Sequence, residues 1–279
     1  AQTGDERYKI AMDTLRKQMA EQPRTSEGGF WHKLRYPHQM WLDGIFMASP
    51  YLVQYGATFD EPALFDEATK QILLIKSKTY DPATGLYYHG WDESHEQKWS
   101  NPETGCSPNF WSRSIGWYGA AIVDVLDFLP QKTAGRDSII QILQGLAKAI
   151  VKYQDPSSGT WYQVTDQGAR EGNYLESSAT ALFIYTLAKA INKGYIDNEY
   201  IEPTQKAFDG MVKTFTRLEE DGSYTITNCC AVAGLGGDSK RYRDGSFEYY
   251  ISEPIIENDP KSVGSFILAA IEYEKMTKK

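Results

Sequence analysis

The sequence predicts an all-α fold, an (α/α) toroid or barrel built from helical hairpins. Three features carry that prediction: a turn motif that recurs along the chain, an amphipathic helix before each turn, and an apolar helix after it. The turns read Glu27-Gly-Gly-Phe-Trp31, Asp81-Pro-Ala-Thr-Gly-Leu-Tyr-Tyr88, Asp155-Pro-Ser-Ser-Gly-Thr-Trp-Tyr162 and Asp221-Gly-Ser-Tyr224. The second and third share D-P-x-[S/T]-G-x-[W/Y]-Y, and the aligned glycines are Gly29, Gly85, Gly159 and Gly222. Their spacing of about sixty residues is that of a repeat architecture.

Amphipathic helices are expected over residues 5–22, 61–76, 137–153 and 198–218, with Pro62 near one start and Asp137 capping another. The helices after the turns are expected over 39–55, 110–129, 174–192 and 262–276. Their runs AAIVDVL, SSATALFIYTLA and GSFILAAIEY carry little charge, and a helix apolar on most sides is buried. Each unit is thus an outer amphipathic helix, a glycine-aromatic turn and an inner buried helix, with the turns on one rim. Only TWYQVT and SYTIT read as short rim strands. Four hairpins are visible, fewer than a closed ring uses, so one or two are expected ahead of Ala1. Residues 1–279 then form a single domain that lacks its N-terminal part and leaves an open edge.

The bulk numbers narrow the partners. A chain of 279 residues that is 41% hydrophobic buries a large core. Net charge is −8, from 37 acidic and 29 basic residues, which argues against nucleic acid and acidic membranes but allows a local basic pocket for a small anion. No stretch is apolar enough to span a membrane. No start methionine or signal peptide is in view, and both a cytoplasmic and a periplasmic placement in a bacterium stay open, as does the oligomeric state. With 7 Trp and 19 Tyr, aromatic faces for sugar stacking are available, although the plainer reading is filling between helices. Cys106, Cys229 and Cys230 give neither a disulfide framework nor a zinc spacing and read as inert.

Chemistry concentrates between Gly28 and Pro50, where Phe30, Trp31, His32, Lys33, Arg35, Tyr36, His38, Trp41 and Asp43 crowd together. Asp43 falls in the first turns of a predicted helix, beside Met40, Trp41 and Phe46. Partial desolvation there is expected to raise its pKa, as a general acid requires. The alternative is that Asp43 only complements the helix dipole. A second rim segment holds His89, Trp91, Asp92, Trp99, Trp111, Arg113 and Trp117. Arg113, near a helix N-terminus, is a receptor for a carboxylate or else the partner of a structural acid. Trp111 and Trp117 stand six apart, so one is placed to stack on ligand while the other packs. His32, His38, His89 and His95 form no HExxH or other tight metal pattern, and no metal site is predicted. The Ala233–Gly237 stretch lacks the strand and the Lys-Ser/Thr of a phosphate loop and reads as a flexible rim loop running on through Arg241, Arg243, Asp244, Phe247, Tyr249 and Tyr250.

The motifs GGFWHK, YP, MWLDGIFM, YYHGWD, FWSRSIGWYGA and GLGG…RDGSFEYYISEP…ND resemble, over the whole length, the unsaturated rhamnogalacturonyl hydrolases of glycoside hydrolase family 105. The resemblance implies a six-hairpin (α/α) barrel and places Ala1 well inside it. It implies release of a 4,5-unsaturated galacturonic acid from the non-reducing end of pectin-derived oligosaccharides, with no metal or organic cofactor. By position, Asp43 matches the catalytic acid/base. His32, Lys33, Tyr36, Trp41, His89, Trp111, Arg113 and Trp117 match substrate-binding positions, Arg113 facing the uronate carboxylate. A second pocket acid is expected upstream of Ala1. An unsaturated glucuronyl hydrolase, a polysaccharide lyase of the same fold and an inactive glycan-binding protein are the competing readings.

Overall fold

The structure is a computed structural model that describes residues 4–237 and 241–278. Its helices are α1 (Glu6–Glu21), α2 (Leu42–Phe59), α3 (Ala63–Thr79), α4 (Ser112–Phe128), α5 (Arg136–Lys152), α6 (Ser177–Lys193), α7 (Ile201–Phe215), the short α8 (Phe247–Ile251) and α9 (Pro260–Thr277). Three two-stranded ribbons accompany them: β1 (Gln39–Trp41) with β2 (Gly90–Asp92), β3 (Thr216–Leu218) with β4 (Tyr224–Ile226), and β5 (Cys229–Cys230) with β6 (Ile255–Ile256).

Two layers follow from the two kinds of helix. The inner helices α2, α4, α6 and α9 pack side by side in that order, and α3, α5 and α7 cover them from outside. In α6 every residue from Ser177 to Ile191 is buried, as its unbroken small and apolar run dictates. The outer α5 buries Ile139, Ile142, Leu143, Leu146 and Ile150, a stripe at three- and four-residue spacing, and turns its other face to water. The fold is thus the α/α toroid type that the repeat predicts. Apolar side chains stay exposed at both ends of the row: Ile267, Leu268 and Ile271 on α9, and Tyr8, Ile10, Leu15 and Met47 on α1 and α2. Among the described residues no helix is long and apolar enough to cross a membrane.

The repeated turn is one hydrogen-bonded structure made twice. Asp81 accepts from the Thr84 amide at 2.9 Å and Asp155 from the Ser158 amide at 2.7 Å. Gly85 and Gly159 close the turns onto the Asp81 and Asp155 carbonyls, both at 2.8 Å. Gly85 and Gly159 have φ of 80° and 76°, a region that side chains avoid. In the first copy the glycine with that conformation is Gly28, at 87°, and not the aligned Gly29.

Some boundaries differ from the sequence expectation. Residues 39–41 form β1 instead of the first turn of a helix, because β2 offers them a hydrogen-bonding partner, and α2 starts at Leu42. The helix expected over 198–218 is a 3-10 turn at Asn198–Tyr200 followed by α7, and its tail is β3, paired with β4. The N-cap of α5 is Gly135, with Asp137 in the first turn. TWYQVT makes isolated bridges from Tyr162 to Leu175 and from Val164 to Trp111, while SYTIT does supply β4. The glycine stretch expected to be a flexible loop is packed. Leu235 is fully buried in a cluster with Tyr36, Trp41 and Trp99, although residues 238–240 of that loop lie outside the described residues.

Inner helices approach closely where the chain offers no side chain. A Cβ on Gly116 would lie 2.7 Å from Leu182 Cβ, and one on Gly119 2.8 Å from Thr186 Oγ1. Gly116→Val is therefore expected to push α4 off α6 and to destabilise the fold by about 1–3 kcal/mol, as overpacking does. Urea denaturation with a lowered midpoint and unchanged slope checks this.

Candidate active site

The site is assembled by a strand pairing. β1 and β2 run antiparallel with Trp41 opposite Gly90, and the Leu42 amide donates to the His89 carbonyl at 3.0 Å. His89 and Asp43 flank that pairing, so the register brings together residues that lie far apart in sequence. His89 Nε2 stands 3.2 Å from Asp43 Oδ2, an ion-pair contact that falls short of a formed hydrogen bond. The His89 side chain is fully buried, whereas that of Asp43 keeps 15% of its exposure, so the carboxyl is the group presented to the mouth.

Gly90 is forced by the same packing. A Cβ there would meet Leu235 Cδ1 at 2.8 Å and Trp41 Cδ1 at 2.9 Å. The Trp41 ring lies against His32, with centroids 4.1 Å apart and planes 12° apart, and against Tyr36 at 4.9 Å. A short hairpin makes this possible, the His32 amide donating to the Gln39 carbonyl at 2.7 Å. Trp111 tilts over His89 from the other side at 4.7 Å.

Placement of the other sequence candidates is mixed. Lys33 is exposed at the tip of the hairpin, next to His32. Trp117 is half-buried against Phe46 at 4.5 Å, while Trp111 is fully buried and donates its indole N–H to Gln163. Trp41, Trp91, Trp99 and Trp161 are buried too, so most tryptophans fill space between elements. Arg113 lies beneath the mouth. It donates to Ser178 Oγ at 3.1 Å, sits 4.0 Å from the buried Glu176 carboxylate, and leaves Nε and Nη2 without partners. Burial opposes its charge, and Glu176 together with Cys230, Cys229 and Asp43 more than offsets that. Glu176 also caps α6 through the Ala179 amide and accepts from the Cys230 amide.

Asp43 departs from expectation in one respect. Burial pushes its pKa up, but the adjacent His89, with help from His32, brings it below the ordinary carboxylate value. The sequence showed the apolar setting of Asp43 and not the imidazole that the strand register places against it. Glu176, Gln163 and Tyr250 were not singled out as site residues. Each reaches the site through a fold contact that no local spacing announces. A cavity of about 300 Å³ adjoins the site between α1 and α2, with His32 and Gly44 as shared wall. Among the described residues no group of His, Cys, Asp or Glu is arranged to hold a metal ion. Cys106, Cys229 and Cys230 are buried and free, and burial pushes the Cys229 thiol up to about 12.

Helical hairpins around a rim that carries a carboxyl, an imidazole and stacked aromatic rings give a protein of the α/α-toroid class, and its family is that of glycoside hydrolases. The family model described as Glycosyl Hydrolase Family 88 matches residues 1–277, and the chain belongs to that family. A solved glycoside hydrolase from family 105 of C. acetobutylicum ATCC 824 superposes with a TM-score of 0.95 at 45% identity, covering 98% of this chain and 75% of that one. Protein Atu3128 of Agrobacterium fabrum is 37% identical over 230 residues, which are 81% of this chain and 97% of that protein. The unsaturated rhamnogalacturonyl hydrolase YesR of Bacillus subtilis is 26% identical over 226 residues, 79% of this chain and 60% of that protein.

Burial lowers the pKa of His32 from 6.5 to about 4, so the folded chain keeps this ring neutral where the unfolded chain protonates it. Between those values the unfolded state binds more protons, and stability falls as pH drops through the window. The full loss expected is roughly 3 kcal/mol. Urea midpoints measured from pH 7 to pH 4 check this, and His32→Asn is expected to flatten the decline.

Proposed function

We propose that this hydrolase acts on a 4,5-unsaturated galacturonic acid at the non-reducing end of rhamnogalacturonan oligosaccharides, by hydrating the enol-ether double bond. The observation that supports this most directly is a mouth-facing carboxyl, Asp43, set beside a buried imidazole. The printed name of YesR supports the choice of sugar. A glycosidase that cleaves through its glycosidic bond uses two carboxyl groups around that bond. Hydration of an enol ether needs one acid/base group that gives a proton to carbon and then takes one from water.

In this reading Asp43 delivers its proton to C4, and the cation that forms is spread over C5 and the ring oxygen. Water adds at C5 and returns a proton to Asp43. The hemiketal opens to a ketone, the C1 hemiacetal so formed expels the aglycone as an alcohol, and the atoms balance with one water consumed. Asp43 is held ionised at rest by His89. The arriving substrate carries its own carboxylate, and a like charge beside Asp43 disfavours the ionised form. Binding of the anion thus loads the acid. Lys33, exposed on the hairpin beside His32, can balance the uronate, and Arg113 adds its charge from beneath the mouth. The half-buried His32 ring, backed by the buried Trp41 and Tyr36, gives the sugar a flat wall.

Asp43→Asn is expected to lower kcat by about 10²–10⁴-fold, the contribution of a positioned acid/base. The assay is the loss of enol-ether ultraviolet absorbance on an unsaturated rhamnogalacturonan disaccharide, with the released sugar identified. Absorbance that rises with turnover would instead mark a lyase, and full activity in Asp43→Asn would remove this residue from the role.

A further inference from the structure

We propose that Tyr250 is a positioning residue whose hydroxyl fixes the hydrogen of His89 on Nε2, and so aims an N–H at Asp43. The inference rests on the reading of Asp43 as the acid/base. Tyr250 belongs to α8, 161 residues from His89 in sequence, and its hydroxyl lies 2.8 Å from His89 Nδ1. Both side chains are fully buried. The Tyr250 ring stacks parallel to Trp111, and its backbone carbonyl accepts from Gln163, which also holds the Trp111 indole. The phenol is therefore fixed in place by groups that themselves wall the site.

The two ring nitrogens of His89 face chemically different partners. Nε2 faces the Asp43 carboxylate, which only accepts when ionised, and Nδ1 faces a hydroxyl that can do either. Among the described residues the Tyr250 hydroxyl has no other hydrogen-bond partner. With hydrogen on Nδ1, the phenol hydrogen would be stranded in an apolar wall, and Nε2 would turn its lone pair on a carboxylate. With hydrogen on Nε2, the phenol donates to Nδ1 and Nε2–H is turned toward Asp43, whose Oδ2 stands 3.2 Å away. Burial pushes the ionisation of Tyr250 far up, so the phenol remains a donor throughout. Tyr250 thus acts through His89 on how firmly Asp43 holds its proton.

The other charged or titratable groups around the pair come from several elements: His32 and Lys33 from the hairpin, Arg113 from α4, Cys230 from β5, and Asp244 and Tyr249 beside or within α8. Tyr250→Phe leaves all of them in place and keeps the ring that stacks on Trp111. Without the phenol donor, the Nε2–H tautomer loses its support, Asp43 loses part of the contact that keeps it ionised, and its pKa rises.

The test joins spectroscopy to kinetics on the same protein. Long-range proton–nitrogen spectra of histidine-labelled protein are expected to show His89 with hydrogen on Nε2 and a bare Nδ1, and Y250F is expected to show a mixture. Near-ultraviolet circular dichroism checks that Y250F keeps its packing. Its kcat is expected to fall by about 10–100-fold, the range typical of groups that orient a functional histidine. KM should change little, and the alkaline limb of the kcat/KM profile, where Asp43 loses its proton, should move to higher pH. Hydrogen on Nδ1 in the unmodified protein overturns the inference even if Y250F does not fold, and so does a Y250F protein with unchanged kcat. The spectra need no turnover, so failure of the tautomer is told apart from failure of Asp43 as the acid, which Asp43→Asn reports.

Discussion

The pairing of β1 with β2 is the constraint on which the site depends. Three residue pairs, Gln39 with Asp92, Met40 with Trp91 and Trp41 with Gly90, set the register between the first hairpin and the second at the rim. A shift by one residue would turn every side chain to the opposite face and separate Asp43 from His89. The register is held by bulk on one side and by its lack on the other. Trp41 lies over the bare Gly90 backbone, with Leu235 closing from above. The Leu42 amide, a free donor at the start of a helix, is spent on the His89 carbonyl, so the start of α2 and the pairing are one event.

Much of this architecture was legible because repeats leave a periodic record. The Asp81 and Asp155 turns share a sequence because they share a hydrogen-bond pattern, and the inner helices declare themselves by carrying almost no charge. Position within an element was legible as well: Asp43 is the second residue of α2 and Arg113 the second of α4. The rest depended on partners brought from elsewhere. No local pattern tells that residues 39–41 will leave the helix to pair with 90–92, or that Tyr250 will lie on His89. The pKa of Asp43 went the other way for the same reason, since its apolar neighbours are adjacent in sequence and its imidazole is not.

Beneath the mouth, charges are organised by burial. Arg113 and Glu176 are both almost wholly enclosed, and an ion pair so placed contributes little net stability while being costly to break. Ser178 and the Cys230 amide share the carboxylate with Arg113, so the start of α6 and the floor of the site are set by one network. At the opposite end of the inner helices, Lys189 holds Asp124 and Asp127 at 2.6 and 2.7 Å, joining α4 to α6 where no chemistry is placed. The inner pair is thus pinned at both ends, and the glycines between allow close contact.

All four inner helices start at the same rim, and the starts of α2 and α4 are capped by Trp41 and Trp111 with no side-chain hydrogen bond. Asp43 in the first turn of α2 offsets the partial positive charge there, whereas the start of α4 has no acidic residue in its first turn and keeps about half a positive charge beside Arg113. A chain with a net charge of −8 therefore repels anions at long range while its mouth attracts them at short range. An oligosaccharide charged only at its tip would be turned by this local field and enter tip first, so the direction of threading is decided before any side chain touches the sugar.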